Sequence, residues 1–219
     1  MIAEQLISNN IIPLRTSDTG EEALSIMSDF YIRHLPIVNN RQLLGLVSED
    51  DILEYDVTAA IGSYSLSLYR PFVRNNDHIY EVMRKMAEGE LTVIPVVDLD
   101  NDYVGLVTQE DLLQYFARML SFKAQGTIIV LETNKHDYSL SEIARIVESE
   151  GSSILSSFIT TDAYSTKIEV TIKINAQYVQ NIIATFDRFD YYIKASYNES
   201  DYLESLQERY DSLMNYLNV

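Results

Sequence analysis

The chain has 219 residues, and its 16 lysines and arginines stand against 33 aspartates and glutamates, a formal net charge of -17. Such a charge repels nucleic acid and anionic membrane surfaces, and the absence of cysteine excludes thiol catalysis, cysteine-bound zinc and disulfides. Because the three histidines are scattered and no stretch approaches the length of a membrane span, we expect a soluble cytoplasmic protein without a metal site.

An internal repeat organises the first half of the sequence. Residues 13–55 match residues 71–115, and two single-residue insertions bring their prolines, glycines and final tyrosines into register. Each copy reads as a helix, a strand that follows a proline, a polar turn, a strand interrupted by a glycine, and a second helix. Neither copy can bury both of its faces alone, so the sequence predicts two repeats, residues 1–60 and 61–122, that pack as a pair.

The helices of the repeats are marked by their apolar spacing. The first helix of each copy carries one apolar stripe, which is typical of a helix buried on one side. The stripes are Ala23, Leu24, Met27, Phe30 and Tyr31 in the first copy, and Ile79, Val82, Met83, Met86 and Ala87 in the second. The second helices are expected to begin at Glu49 and Gln109.

The densest chemistry lies where the second strand of each copy meets its second helix. Ser48 is followed by Asp51 in the first copy, and Thr108 by Asp111 in the second, each pair after a glycine. A hydroxyl at a helix start with an acid three residues later is a capping box, which needs no ligand. The same arrangement offers free N–H groups to a phosphate and a carboxylate to two ribose hydroxyls. Its occurrence in both copies, beside a glycine that admits close approach, favours the ligand interpretation.

The pattern Pro-apolar-apolar, turn, Gly-apolar-apolar-Ser/Thr-x-x-Asp strongly resembles the CBS domain, named for cystathionine β-synthase and normally found in tandem pairs. The resemblance covers roughly residues 1–120. It implies a cleft between the repeats for an adenine nucleotide or a related adenosyl ligand, with the two junctions facing one another across it. The nucleotide-binding residues that it implies are Ser48, Asp51, Thr108, Asp111, Ile37, Val38, Val96, Val97, Arg33 and His34.

The two copies differ in charge before their prolines. Arg33 and His34 resemble the basic pair that holds phosphate in the AMP-sensing subunit of AMP-activated kinase, whereas the second copy has no cation there. A phosphate is therefore expected near this pair, with Arg70 and Arg74 as helpers, and the other cleft is empty or holds an uncharged nucleoside. The alternative for Arg33 is an ordinary surface side chain. No cofactor is obligatory, and the many acids favour a monophosphate or a Mg²⁺-bound nucleotide over a free triphosphate.

The C-terminal part changes pattern after residue 122. Strands are predicted over 127–131, 154–161, 168–174 and 191–197, and helices over the apolar residues of 140–147 and 179–186. The order βαββαβ is that of a ferredoxin-like unit, and behind a CBS pair it resembles the ACT domain of acetoin-utilisation-type CBS–ACT regulatory proteins. The expected fold class is thus α/β (α+β), with an ACT-like domain over 123–200.

Two features of this part bear on assembly. ACT domains that bind amino acids usually carry a glycine in the loop after the first strand, whereas residues 134–139 have none. The domain is therefore expected mainly to pair with a second copy in a homodimer. Residues 201–219 place Leu203, Leu206, Tyr210, Leu213 and Leu217 at alternating spacings of three and four, which predicts a helix. That helix either packs on its own domain or forms a seam between subunits.

The sequence favours a non-catalytic regulatory protein that senses an adenine nucleotide. The alternative is a ligand-free scaffold for dimerisation or interaction, in which the capping boxes are only caps. An enzyme is disfavoured because the sequence has no cysteine nucleophile, no P-loop and no histidine with a nearby acid and serine.

Overall fold

The computed structural model describes most of the chain. The described residues are 1–8, 10–65, 70–162 and 164–198. The helix predicted over 201–219, with its leucine stripe, lies outside them. The chain divides into two compact units, Met1–Tyr115 and Phe116–Val219.

The described residues of both units contain helices and strands. The helices are α1 (Gly20–Asp29), α2 (Glu49–Leu53), α3 (Ile79–Glu88), α4 (Gln109–Met119), α5 (Leu140–Ser149) and α6 (Gln180–Arg188). The strands are β1 (His34–Asn39), β2 (Gln42–Ser48), β3 (Val73–Arg74), β4 (Val93–Val97), β5 (Tyr103–Thr108), β6 (Thr127–Asn134), β7 (Ile154–Thr161), β8 (Lys167–Ile174) and β9 (Tyr192–Asn198). Among the described helices, none combines the length and apolar character that crossing a bilayer requires.

The predicted order of helix, strand, strand and helix is confirmed in both repeats of the first unit. β1 pairs antiparallel with β2, and β4 pairs antiparallel with β5. In both hairpins the register shifts directly after the residue opposite the glycine, Gly45 in one and Gly105 in the other. Such a bulge bends the strand and increases its twist. The second helices begin at Glu49 and Gln109, as predicted.

In each repeat a short extended segment before the first helix also pairs with the strand that contains the proline, and the sequence does not predict this pairing. In the second repeat β3 pairs parallel with β4. In the first repeat Leu14 alone takes this role: its N–H donates to the Pro36 carbonyl at 2.8 Å, and its carbonyl accepts from the Val38 N–H at 2.8 Å. One or two residues carry no alternation in the sequence, so periodicity cannot reveal them.

The apolar residues of the two repeats form one core. Ala23 and Met27 of α1 belong to the same buried cluster as Val82 and Met86 of α3. The hairpin turns of the repeats also meet, since the Tyr103 N–H donates to the Arg41 carbonyl at 2.6 Å. The prediction that neither repeat buries its apolar face alone is therefore confirmed.

The second unit has the ferredoxin-like topology that the sequence predicts. Its antiparallel sheet has the order β7-β8-β6-β9, so the first strand of the unit lies between the third and the fourth. Its core joins residues of the sheet, such as Ile129 and Val170, to Ile143 of α5 and Phe186 of α6. Two residues after α5, Gly151 has a φ of 73°, the left-handed conformation that commonly follows a helix.

Candidate functional site

Two clefts lie between the repeats of the first unit, and each is lined by residues from both repeats. The first cleft, of about 490 Å³, contains Thr108 and Asp111 of the second repeat opposite Phe30 and Tyr31 of the first. The second cleft, of about 240 Å³, contains Ser48 and Asp50 opposite Gly89 and Glu90. The expectation that the two junctions face one another across one crevice is therefore wrong. Each junction instead faces the end of the other repeat's first helix, α1 or α3.

Both junctions form the capping box that the sequence predicts. At Ser48 the Oγ accepts from the Asp51 N–H at 3.1 Å, while Asp51 Oδ2 accepts from the Ser48 N–H at 2.9 Å and from its hydroxyl at 2.6 Å. At Thr108 the corresponding distances to Asp111 are 3.0, 3.1 and 2.6 Å. In both caps the bonds to the carboxylate use Oδ2. Thr108 and Asp111 line the first cleft, whereas the first junction contributes Glu49 and Asp50, rather than Asp51, to the lining of the second cleft.

Of the four strand residues predicted to line the nucleotide cleft, three are buried and one is half-buried. Ile37, Val96 and Val97 are at most 3% exposed, Val38 is half-buried, and none of the four lines either cleft. This part of the prediction is wrong. β4 is buried at every residue because it lies between β3 and β5 inside the shared core, so its side chains fill that core.

The glycine of the second junction admits a segment of the protein itself, whereas the sequence predicts the close approach of a ligand. A Cβ on Gly105, whose φ is 154°, would lie 2.3 Å from Cγ2 of Ile7. The N-terminal segment passes here, and the Ser8 N–H donates to the Leu106 carbonyl at 2.8 Å. The close approach that this glycine permits is therefore that of the chain's own first residues, and Ser8 reaches the lining of the first cleft.

Arg33 and His34 line the second cleft, and Thr92 of the second repeat holds them there. The Thr92 hydroxyl accepts from the Arg33 N–H at 2.9 Å and lies 2.9 Å from His34 Nδ1. The Thr92 N–H donates to the same ring nitrogen at 3.3 Å. Since Nδ1 accepts, the proton of the neutral imidazole is assigned to Nε2. In the sequence, this place in the second repeat is marked only by its lack of a cation.

The charge of His34 follows from its surroundings. Burial lowers the pKa of His34 below its ordinary value of 6.5, and the neighbouring Arg33 lowers it further. Asp51 and Asp50 act in the opposite direction without reversing the shift. Arg33 is therefore the cation of the second cleft at neutral pH, and His34 acts there as an uncharged N–H donor.

Thr92 also connects the two junctions through the backbone. Its carbonyl accepts from the Gln109 N–H at 3.0 Å, at the start of α4, and the Arg33 carbonyl accepts from the Glu49 N–H at 2.9 Å, at the start of α2. Because the Arg33 N–H donates to the Thr92 hydroxyl, the two helix starts lie at the ends of one short chain of hydrogen bonds. Thr92 itself lines the first cleft.

The remaining predicted cations lie elsewhere. Arg70 is exposed and lines neither cleft, and the Arg74 guanidinium lies 3.5 Å from the Asn101 side-chain oxygen. Of the histidines, His78 caps the start of α3 by accepting from the Tyr80 N–H at 3.3 Å. Within the described ranges, no three acidic or histidine side chains cluster as a metal site would require.

The second unit contains a cavity of about 740 Å³ at the loop after β6. Its two lysines, Lys167 and Lys194, are in ion pairs with Glu132 and Glu169. The loop itself is bound internally, since the Asn134 amide donates to the Asp137 carboxylate at 2.9 Å.

Comparison with known proteins gives a family match in the first unit. The sequence model of the CBS domain matches residues 3–58 and again residues 69–118. A homoserine O-acetyltransferase of Methanohalobium evestigatum is 28% identical over 113 residues, which are 49% of this chain and 22% of that protein. An inosine-5'-monophosphate dehydrogenase of Methanocaldococcus jannaschii is 22% identical over 113 residues, 51% of this chain and 23% of that protein. The chain thus covers less than a quarter of either relative.

Among solved structures, a CBS domain pair/ACT domain protein from Thermotoga maritima is similar to 55% of this chain. The match covers 99% of that protein at 22% identity, with a TM-score of 0.49.

Proposed function

We propose, since the CBS-domain model matches both repeats, that this chain is a non-catalytic regulatory protein whose paired repeats bind an adenine nucleotide or related adenosyl ligand. One observation carries the proposal: each cleft joins a helix start with a hydroxyl and acids from one repeat to a helix end of the other. A ligand in either cleft would contact both repeats. Binding would therefore favour one relative arrangement of the repeats, which is how a sensor converts occupancy into a conformational preference.

The second cleft is the proposed site for a phosphate. Arg33 supplies a cation, and the Nε2–H of His34 supplies an uncharged donor. The Ser48 hydroxyl and the start of α2 lie in the same lining.

The acids of the second cleft restrict which phosphate it would accept. Glu49, Asp50 and Glu90 line it together with a single arginine. A free triphosphate would meet net repulsion there, whereas a monophosphate carries less charge and Mg²⁺ neutralises part of a polyphosphate. We therefore propose AMP, or a Mg²⁺-bound nucleotide, as the ligand of this cleft.

The aspartates of the junctions are the proposed ribose acceptors. Each cap bonds Oδ2 of the carboxylate, and Oδ1 is the oxygen that a ribose hydroxyl would use. In the first cleft Asp111 belongs to the lining, so its role is direct. In the second cleft Asp51 is not part of the lining, so it would have to move to reach the ribose.

The scaffold remains the competing function, and one observation favours it. In both junctions the hydroxyl and the carboxylate already satisfy one another and the helix start, so neither group requires a ligand. On this alternative the paired repeats are a rigid platform, and the ferredoxin-like unit holds a homodimer.

Titration calorimetry with AMP, ADP, ATP and S-adenosylmethionine separates the two functions. We expect binding of at least one of them, and weaker binding on Asp111→Ala and on Asp51→Ala. The matched control is Glu22→Ala, because Glu22 forms the same kind of capping box with Thr19 at the start of α1 and lines neither cleft. Absence of binding up to millimolar ligand would favour the scaffold, and unchanged binding by both aspartate variants would refute the ribose assignment.

A further inference from the structure

The first helices of the two repeats end in the same backbone motif. After α1 the Tyr31 N–H donates to the Ser28 carbonyl at 3.4 Å and the Ile32 N–H to the Met27 carbonyl at 3.0 Å. After α3 the same two bonds run from Glu90 and Leu91. This is a Schellman cap, whose first residue beyond the helix adopts the left-handed conformation that glycine adopts most readily. Tyr31 and Glu90 have φ values of 53° and 50°.

Tyr31 is an unfavourable residue at this position on structural grounds. A bulky side chain with a left-handed backbone is a conformational outlier, and Tyr31 is 95% exposed, so packing does not compensate. Other helix ends with a left-handed residue have smaller or charged side chains there, namely Ser121 after α4 and Asp190 after α6. Neither the helix cap nor the core therefore explains the aromatic ring.

The position of Tyr31 gives the ring another use. Tyr31 and the neighbouring Phe30, which is 40% exposed, line the first cleft together with Thr108 and Asp111. The equivalent residues in the second cleft are Gly89 and Glu90, which have no aromatic ring. Aromatic rings beside hydroxyl and carboxylate acceptors suit a flat heterocycle joined to a sugar.

The charges of the first cleft disfavour the phosphate of a nucleotide. Among the residues that line it there is no lysine, arginine or histidine, while Glu110 and Asp111 are both acidic. Thr92 stands where the second cleft has Arg33. A phosphate placed here would lack a cation and would face two carboxylates.

We propose that the first cleft binds a purine nucleoside without its phosphate, and that Tyr31, supported by Phe30, stacks on the base. This inference rests on the proposed function, because it assigns a ligand class to one of the two clefts described there. On this assignment the first cleft takes a nucleoside, whereas the second cleft takes a nucleotide that carries a phosphate.

Calorimetric titration with adenosine, combined with thermal unfolding, tests the proposal through the variants Tyr31→Gly and Tyr31→Phe. Stacking of a base on an aromatic ring is worth enough that its loss weakens binding by about tenfold or more. We expect that loss in Tyr31→Gly, without a lower midpoint of thermal unfolding, because glycine suits the left-handed position. Tyr31→Phe retains the ring and should bind within about twofold of the parent.

The matched control is Asp190→Gly, which places glycine at a left-handed helix end of the second unit, where φ is 59°. It should leave adenosine binding unchanged. Equal adenosine binding by Tyr31→Gly and the parent would overturn the proposal, as would a loss of binding that is accompanied by a fall in the unfolding midpoint. If the parent binds AMP but not adenosine, this proposal fails while the proposed function stands. If it binds none of adenosine, AMP, ADP, ATP and S-adenosylmethionine, the proposed function fails as well.

Discussion

The two clefts of the first unit are built from equivalent parts of one repeated sequence, yet their chemistry differs at several equivalent positions. The first cleft has Thr92 and Tyr31 where the second has Arg33 and Glu90. The backbone at these positions is alike, down to the Schellman caps and the bonds that hold each helix start. Duplication thus preserved the frame, and the side chains alone decide which ligand each cleft can accept.

The largest effect that we predict concerns the N-terminal segment, which contributes Ser8 to the first cleft. Gly105→Ala should lower the free energy of unfolding by about 1 to 3 kcal/mol, because its Cβ would lie 2.3 Å from Ile7 Cγ2 in a packed region. Urea unfolding measures the change. The double variant Gly105→Ala with Ile7→Ala should lose less than the sum of the two single variants, since the clash is absent. Simple additivity would show that Ile7 is not the group that requires this glycine.

The next prediction tests the charge difference between the clefts by removing the arginine that lines the second one. Arg33→Ala should weaken AMP binding by about tenfold, because a charge-assisted bond to phosphate is lost, and should leave adenosine binding unchanged. The conservative variant Arg33→Lys retains the charge and should recover part of the affinity. Parallel calorimetric titrations with AMP and adenosine make the comparison. An equal loss for both ligands would mean that Arg33 does not recognise the phosphate.

A smaller effect is expected from the residue that joins the clefts. Thr92→Val removes the hydroxyl that accepts from the Arg33 N–H and contacts His34 Nδ1, and should destabilise the first unit by about 1 kcal/mol. Thr92→Ser keeps the hydroxyl and should remain close to the parent. Urea unfolding of the three proteins gives the values. If the valine variant is as stable as the serine variant, the hydroxyl makes no net contribution to the connection.

The fold was largely predictable from the sequence, whereas the composition of the clefts was only partly so. Helical spacing and strand alternation are local signals, and they gave α3, β7 and the start of α4 without reference to neighbours. The junction residues and Arg33 could be predicted because a hydroxyl, a carboxylate and a guanidinium group each indicate a binding role without reference to neighbours. The apolar spacing placed Tyr31 in a helix stripe, and Thr92 was marked only by the lack of a cation. The role of each residue depends on its contacts with the other repeat, which the sequence does not show. The strand residues Ile37 and Val96 were misplaced for the same reason: sequence alone does not distinguish a cleft wall from a shared core.

The smallest predicted effect tests whether His34 is the uncharged member of the pair. Its folded-state pKa lies below the ordinary 6.5, so above that pH the ring is neutral in both the folded and the unfolded chain and contributes nothing to pH dependence. Below it the unfolded chain binds the proton more strongly, so the parent should lose stability as the pH falls through this window. His34→Gln lacks the proton site and should be spared this component, while the carboxylates titrate in both proteins. Urea unfolding of both from about pH 8 to about pH 5 should therefore show a difference that changes only below about 6.5. A constant difference would mean that His34 keeps its ordinary pKa, and the second cleft would then carry a second cation as the pH falls.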